Sequence, residues 1–406
     1  MRNVVTTEKY SDLLNKRKKV IEKVISFIET NREAIRNILT EVTLYQTAED
    51  EIDTSIKVLR NSFKEVSYYK PPVLSSLSVF MPSNVLLYSY VLYLLVPSLY
   101  VRKIEFRPST QVFNQVKKIH ELLSPIHNFP IELVSLSHKA YIEQSVRKSQ
   151  VIVFTGSYKN AEKIKAQLDE DQMFIFLGQG INPFIISENA NLEKAIDDLI
   201  TIRLYNSGQD CLGPDVIYVP NNIKENLLNM LMEKLSQLKF GEMQNPSSDY
   251  GPIFYQSALD SVSSYLNKYN DYIYFGGIID YSSKTIHPTI LLSNIEDKLT
   301  ISEFFSPIFN IVAYNEWKEI EQLLCQGYFL ERALGASIYG KVKSEMQAFL
   351  MKRHTVSINQ TLLDIENGNQ PFGGFGPMAN YISYRRKLYI EPILISKALN
   401  NYWVEI

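Results

Sequence analysis

The chain has 406 residues, of which 45% are hydrophobic and 21% charged, with a formal net charge of -2. That make-up suits a globular chain with material for two domains and a sizeable core, and it offers no basic surface of the kind a general nucleic-acid binder needs. The two cysteines, Cys211 and Cys325, exclude a disulfide framework and suit a reducing cytoplasm, and with five scattered histidines they form no metal-ligand cluster.

The opening stretch MRNVVTTEKYSDLL has no apolar core of the kind a signal peptide requires. Residues 10 to 66 predict two or three helices: Leu13, Leu14, Val20, Ile21, Val24, Ile25, Ile28, Ile35, Ile38 and Leu39 recur at spacings of three and four, with lysines and glutamates on the solvated face. Asp50 to Val66 repeats the pattern through Ile52, Ile56, Val58, Leu59 and Phe63. From Pro71 the period changes, and Val73 to Met81 predicts a strand running into Pro82-Ser83-Asn84. Val85 to Val101 is apolar but spans only 17 residues, interrupted by Pro97 and carrying four tyrosines and two serines. A membrane span needs about 20 apolar residues, so the segment reads as a buried helix packed on a sheet.

Strand Lys103 to Phe106 then ends at Arg107-Pro108-Ser109-Thr110. Helix Gln111 to Leu123, strand Ile131 to Leu136 and strand Gln150 to Phe154 follow, the last opening into Thr155-Gly156-Ser157. Strands alternating with helices at this spacing predict a Rossmann-type, doubly wound parallel sheet, whose ligands lie beyond the carboxyl ends of the strands. Asn84, Arg107, Gly156 and Ser157 all fall there.

Leu204 to Pro220 (LYNSGQDCLGPDVIYVP) delivers Cys211 on a polar loop. The loop lies between a helix with Leu192, Ala195, Ile196, Leu199, Ile200 and Leu204 on one face and the strand Val216 to Val219. A lone cysteine fits a packed small hydrophobe as well as a nucleophile. Further on lie helix Lys224 to Leu238, helix Gln256 to Tyr269, strand Tyr272 to Phe275, strand Phe309 to Tyr314 and a glycine-rich loop, Pro371 to Gly376. A late strand over Tyr389 to Ser396 closes the series, and Cys325, within EIEQLLCQGYFL, is expected in the core. No internal repeat or low-complexity linker is present, so the two halves meet in a compact crossing near residues 178 to 205.

In this order the blocks resemble the NAD(P)-dependent aldehyde dehydrogenase superfamily. MPSN (Met81 to Asn84) is similar to its proline-tryptophan-asparagine block with Ser83 in place of tryptophan, and RPST (Arg107 to Thr110) to its Lys-Pro-Ser-Glu block. FTGS (Phe154 to Ser157), NSGQDC (Asn206 to Cys211), SEFFSPI (Ser302 to Ile308) and PFGGFG resemble the pyrophosphate, nucleophile, Glu-(Ile)-Phe-Gly-Pro and terminal glycine-rich segments. The resemblance runs from about Lys16 to Ser396, lacks several dozen residues usual in front, and shortens a hairpin. It implies a nucleotide-binding domain over 1–180, an α/β catalytic domain over 181–385 and an oligomerisation strand and tail over 386–406, hence a homodimer or larger assembly.

The resemblance further implies that Cys211 attacks an aldehyde or thioester carbonyl, with the oxyanion held by the Asn84 amide and the Cys211 backbone N–H. Glu303 would hold the nicotinamide ribose, while Pro82, Ser83, Ser109, Gly156, Ser157, Leu177, Gly178 and Phe305 would border the cofactor. Arg107, with Thr110 in place of the family's glutamate, favours NADP(H) over NAD(H), because an arginine accommodates a 2′-phosphate and the repelling carboxylate is gone. Where the family carries a glycine, Ala161 would bring a methyl group toward the phosphates.

Hydrolytic members place a water-activating glutamate in a Leu-Glu-Leu-Gly-Gly block. The matching stretch here, Phe174-Ile175-Phe176-Leu177-Gly178-Gln179-Gly180, is apolar at each candidate position, and the nearest acids, Asp169 to Asp171, lie upstream. Members that use coenzyme A or another thiol, or that reduce an acyl thioester, do not need that base. The leading expectation is therefore interconversion of an aldehyde and an acyl thioester. Hydrolytic oxidation with another base, and a non-catalytic nucleotide-binding relative, stand as alternatives.

Overall fold

The computed structural model describes residues 10–297 and 299–404; most of the opening stretch read for a signal peptide lies outside the described residues. Three helices begin the chain, Tyr10–Thr30, Arg32–Leu39 and Tyr45–Tyr69. Their apolar faces, including Ile21, Val24, Ile28, Ile35, Leu39, Ile52 and Leu59, are buried in one core with the first sheet. On the outer side Arg32 bonds Glu49 at 2.6 Å and Asp53 at 2.5 Å, tying the second helix to the third.

The strands of the first half are β1 (Leu74–Phe80), β2 (Val101–Arg107), β3 (Ile131–Leu133), β4 (Val151–Thr155) and β5 (Met173–Leu177). There follow β6 (Pro183–Ile186), β7 (Val216–Pro220), β8 (Ile273–Phe275), β9 (Ile279–Asp280), β10 (Thr285–Ile286), β11 (Thr289–Asn294) and β12 (Ile308–Tyr314). The last are β13 (Gly335–Tyr339), β14 (Thr355–Ile358), β15 (Asn380–Tyr384) and β16 (Lys387–Tyr389). They build two seven-stranded sheets, β16-β15-β5-β4-β1-β2-β3 and β14-β13-β6-β7-β12-β11-β8, beside a small β9-β10 hairpin.

Within the first sheet β5-β4-β1-β2-β3 is parallel, the doubly wound order expected of a Rossmann-type unit. The second sheet is parallel from β14 to β11 and ends in antiparallel β8. The chain then returns to the first sheet, where β15 pairs antiparallel with β5, setting Asn380 opposite Leu177.

Two expectations are corrected. Tyr389 to Ser396 is not a strand: β16 stops at Tyr389, and Ile395–Tyr402 is a helix. Pro392 lacks the N–H a strand interior needs, and Ile395, Ala398 and Leu399, spaced for a helix, enter the first core. Cys325 is exposed, because helix Trp317–Leu324 buries Ile320 and Leu324 and ends one residue before it.

The apolar segment after β1 is helical and buried, as expected. It runs as α-helix Leu86–Tyr90, a wider π turn Val91–Leu95 and a tight turn Pro97–Leu99. No helix among the described residues is long and apolar enough to cross a membrane.

Candidate active site

Cys211 sits where the helix Leu192–Leu204 gives way to β7, on a loop whose backbone is unusual. Asn206, Ser207 and Gly208 lie consecutively in the left-handed region, at φ 49°, 56° and 81°. Gly208 adopts this conformation freely, but Asn206 and Ser207 carry a Cβ and cost conformational energy there unless neighbours hold them. The holders are polar and come from across the molecule. Asn206 donates its N–H to Thr47 Oγ1 at 3.1 Å and accepts from Leu44 N at 3.2 Å. Ser207 Oγ accepts from Gly251 N at 2.8 Å, and Gln209 Oε1 accepts from Phe254 N at 2.8 Å.

Two buried side chains fix the rest of the loop. Asn182, between β5 and β6, donates through Nδ2 to the carbonyls of Cys211 at 2.7 Å and Gly213 at 3.1 Å, and accepts from Gly335 N at 2.9 Å. Arg203, 1% exposed, donates to the carbonyls of Gly208 at 2.7 Å, Pro214 at 2.9 Å and Phe304 at 2.8 Å. One guanidinium thereby links both ends of the cysteine loop to the segment that carries Glu303. Neither Asn182 nor Arg203 stands out in the sequence. An arginine in the last turn of an amphipathic helix ordinarily reads as a solvated residue.

A cavity of about 520 Å³ opens at Cys211, and Pro82, Asn84, Leu177 and Gly178 line it with the cysteine. The helix after β1 supplies one wall: Val85, Tyr88, Ser89, Leu92, Tyr93 and Val96 face the cavity at helical spacing. Of the apolar stretch in which a base was sought, the side chain that faces the cavity is Leu177, at the end of β5. Phe174 and Phe176 turn to the other side of the sheet, against Phe154 and Tyr381.

The remaining expected residues lie outside the cavity wall. Arg107, at the end of β2, donates to the carbonyls of Leu136 at 3.0 Å and Pro108 at 3.2 Å and to Thr110 Oγ1 at 3.4 Å. Ser109 precedes a short turn that begins at the exposed Thr110. The Ser83 carbonyl accepts from the Tyr255 hydroxyl at 2.6 Å, and Phe305 packs near the same ring at 6.0 Å. Gly156, at φ 155°, donates its N–H to Leu177 O at 3.0 Å, and Ser157 opens the helix Tyr158–Lys165. Ala161 on that helix is fully buried among Ile152, Phe154 and Ile164, so its methyl group faces the core, contrary to the expectation that it would crowd a ligand.

Glu303 accepts from Gln179 Nε2 at 2.6 Å, while its buried Oε1 has no partner. Burial, followed by the nearby Asp215 carboxylate, pushes its carboxyl up to about 8. Burial and then the carboxylates of Asp210 and Glu303 push the Cys211 thiol well above its ordinary value. The cysteine is therefore held as the neutral thiol in this state, and a nearby positive charge would lower its pKa. Carboxyl groups also reach the cavity from elsewhere in the chain. Glu51, on helix Tyr45–Tyr69, accepts from Tyr88 N at 3.0 Å, and Glu366 accepts from the Tyr88 hydroxyl at 2.6 Å. Sequence reading passed over both, since each belongs to a polar stretch without a motif.

Residues 134–378 match the aldehyde dehydrogenase family. Among curated proteins, the chain is 29% identical over 242 residues to 4,4'-diapolycopene-4,4'-dial dehydrogenase of Cytobacillus firmus, covering 58% of this chain and 52% of that one. It is 27% identical over 284 residues to 4,4'-diaponeurosporen-aldehyde dehydrogenase of Staphylococcus aureus, covering 66% and 59%. The matched stretches thus take in little more than half of each relative's length. Among solved structures, succinic semialdehyde dehydrogenase of Streptococcus pyogenes, in complex with NADP+, is similar at a TM-score of 0.82 and 17% identity, covering 94% of this chain and 91% of that one. Glyceraldehyde-3-phosphate dehydrogenase of Methanocaldococcus jannaschii, complexed with NADP, is similar at 0.78 and 20%, covering 94% and 90%.

Proposed function

The chain belongs to the aldehyde dehydrogenase family, and from that premise we propose that it is a nicotinamide-dependent oxidoreductase that interconverts an aldehyde and an acyl thioester through Cys211. The observation that carries the finer reading is Leu177. The residue at the end of β5 that faces the cavity with Cys211 is an aliphatic chain that can neither take nor give a proton.

In this reading the Cys211 thiolate attacks the carbonyl carbon. The oxyanion that forms is held by the Asn84 side-chain amide and the Cys211 N–H, an arrangement for which one donor contributes about 3 kcal/mol in the transition state. When bound, the nicotinamide supplies the site that accepts or donates hydride. Cys211 carries the acyl group as a thioester, and a free thiol such as coenzyme A exchanges with it, because a thiolate needs no general base.

The residues present suit such a cofactor. Glu303 offers a buried, partnerless Oε1 to a ribose hydroxyl, and Gln179 holds its other oxygen. Gly156 and Ser157 lead into a helix amino terminus, where backbone N–H groups favour phosphate. Two structural neighbours were solved with NADP. Thr110 has no carboxylate to repel a 2′-phosphate, which favours NADP(H) over NAD(H), although Arg107 already has three protein acceptors. A homodimer or larger assembly in the cytoplasm, with domains divided at about residues 180 and 385, belongs to the same reading.

Glu366 favours a second reading, in which the acyl group is released by water. Its carboxyl shares the cavity with Cys211, and burial raises its proton affinity, with a smaller push from Asp210, against the Tyr88 hydrogen bond and then Lys57, which lower it. The deciding experiment follows NADPH absorbance with acyl-CoA thioesters, using Cys211→Ala as control. Cysteine-dependent oxidation of NADPH supports the thioester reading. Reduction of NADP+ by free aldehydes without added thiol, releasing the acid, supports the hydrolytic one. Silence in both directions with nucleotide bound returns the chain to the non-catalytic alternative.

A further inference from the structure

The cavity at Cys211 is rich in carboxyl groups, and the cations that act on them, Arg203 on Asp210 and Lys57 on Glu366, do so from beyond ion-pair contact. Glu51 is 4% exposed and Asp210 8%, and both line the cavity with Glu366. Among the described residues none of the three forms an ion pair. Glu51 accepts from Tyr88 N, Asp210 from Leu212 N at 2.8 Å and Glu366 from the Tyr88 hydroxyl. The other acids of the lining differ. Glu65 is bonded by Asn369 and Ser396, Asp198 by Lys194 and Tyr339, and Asp364 closes a turn with Thr361, while Asp50 lies at the exposed edge. The cationic side chain in the lining is Lys57.

Buried carboxylates without an ion-pair partner are costly, and an apolar ligand would strip them of water and give nothing in return. Tyr88, Tyr93 and Tyr205 line the same cavity. Aromatic faces next to carboxylates are a chemical match for an ammonium group, which draws on both the ring quadrupole and the charge.

We propose that the cavity selects a carbonyl substrate carrying a positively charged amine, with Glu51, Asp210 and the tyrosine rings around the ammonium and the carbonyl carbon at Cys211. The proposal rests on the reading of Cys211 as the nucleophile and adds the substrate class.

The test compares isosteres that differ only in charge. Trimethylammonioacetaldehyde and 3,3-dimethylbutanal have the same shape, and with NADP+ and coenzyme A supplied to both, kcat/KM for the cation should exceed that for the neutral aldehyde by at least tenfold. Glu51→Gln, which keeps the side chain's size, should lower that ratio about tenfold, and a ratio between two substrates is unaffected by a general loss of active protein. Two non-reacting alcohols of the same shapes, choline and 3,3-dimethyl-1-butanol, separate this proposal from the one it rests on. Choline should slow alkylation of Cys211 by iodoacetamide and the neutral alcohol should not. Protection by choline without turnover of either aldehyde would retain the cation site and remove the proposed activity. Equal kcat/KM for the two aldehydes, equal protection by the two alcohols, or a ratio unmoved by Glu51→Gln would overturn the proposal.

Discussion

Arg203→Met gives the sharpest check on how the cysteine loop is built. The arginine is fully buried and donates to the carbonyls of Gly208, Pro214 and Phe304 at 2.7 to 2.9 Å. Methionine fills a similar volume but leaves all three acceptors unsatisfied. A hydrogen bond from a charged donor contributes about 1.5 to 3 kcal/mol. Three of them amount to roughly 5 to 9, from which the relief of no longer burying a guanidinium, several kcal/mol, must be taken away. The expected net loss is about 3 kcal/mol, which at a urea dependence near 3 kcal/mol per M moves the unfolding midpoint by about 1 M. Because the bonds hold both ends of the loop, Cys211 should also react with iodoacetamide about ten times faster below the transition. Arg203→Lys, which keeps the charge and part of the bonding, should fall between. A midpoint shift below about 0.2 M with unchanged thiol reactivity would refute the claim that this side chain anchors the loop.

Other outcomes follow from the same geometry. Leu177→Glu puts a carboxylate at the end of β5 facing the cavity, and should raise hydrolytic release of acid by about a hundredfold, measured as acid formed from aldehyde without added thiol. No gain would mean that Leu177 does not stand where the water-activating base is needed. Gly208→Ala forces a Cβ to within 2.4 Å of the Ser306 backbone at a φ of 81°, so the variant should lose at least about 2 kcal/mol and melt roughly 5 °C lower. An unchanged melting temperature would contradict the left-handed loop.

The preference for the quaternary aldehyde should depend on pH through Glu51, whose carboxyl is pushed up to about 7 chiefly by burial and then by Asp210. Asp50 and Lys57 on its own helix, Tyr88 and Tyr93 on the helix opposite, and Tyr205, Asp210, Cys211, Tyr255 and Glu366 on the loops share its surroundings. Protonation below that value removes the negative charge while the substrate keeps its own. The ratio of kcat/KM should therefore rise with pH between about 6 and 8, and a flat ratio would dissociate Glu51 from cation binding.

Much of this protein was decided locally. Helical spacing in residues 10 to 66, the short strand-like runs at β1, β2 and β4, and the helix-loop-strand around Cys211 each follow from a short window of sequence. The placing of Arg107 at a strand end, and of Asn84, Gly156 and Ser157 beyond strand ends, was legible for the same reason. Long-range pairing decided the rest. β15 runs antiparallel beside β5, and Ile395–Tyr402 is a helix instead of a strand, because the end of the chain completes a sheet and core begun some 200 residues earlier. No window held the role of Asn182 or Arg203, whose bonds reach Gly335 and Phe304, 153 and 101 residues away. The acidic lining of the cavity is likewise tertiary: Glu51, Asp210 and Glu366 stand more than 150 residues apart in the chain, and only the packing of three separate elements brings their charges to one place.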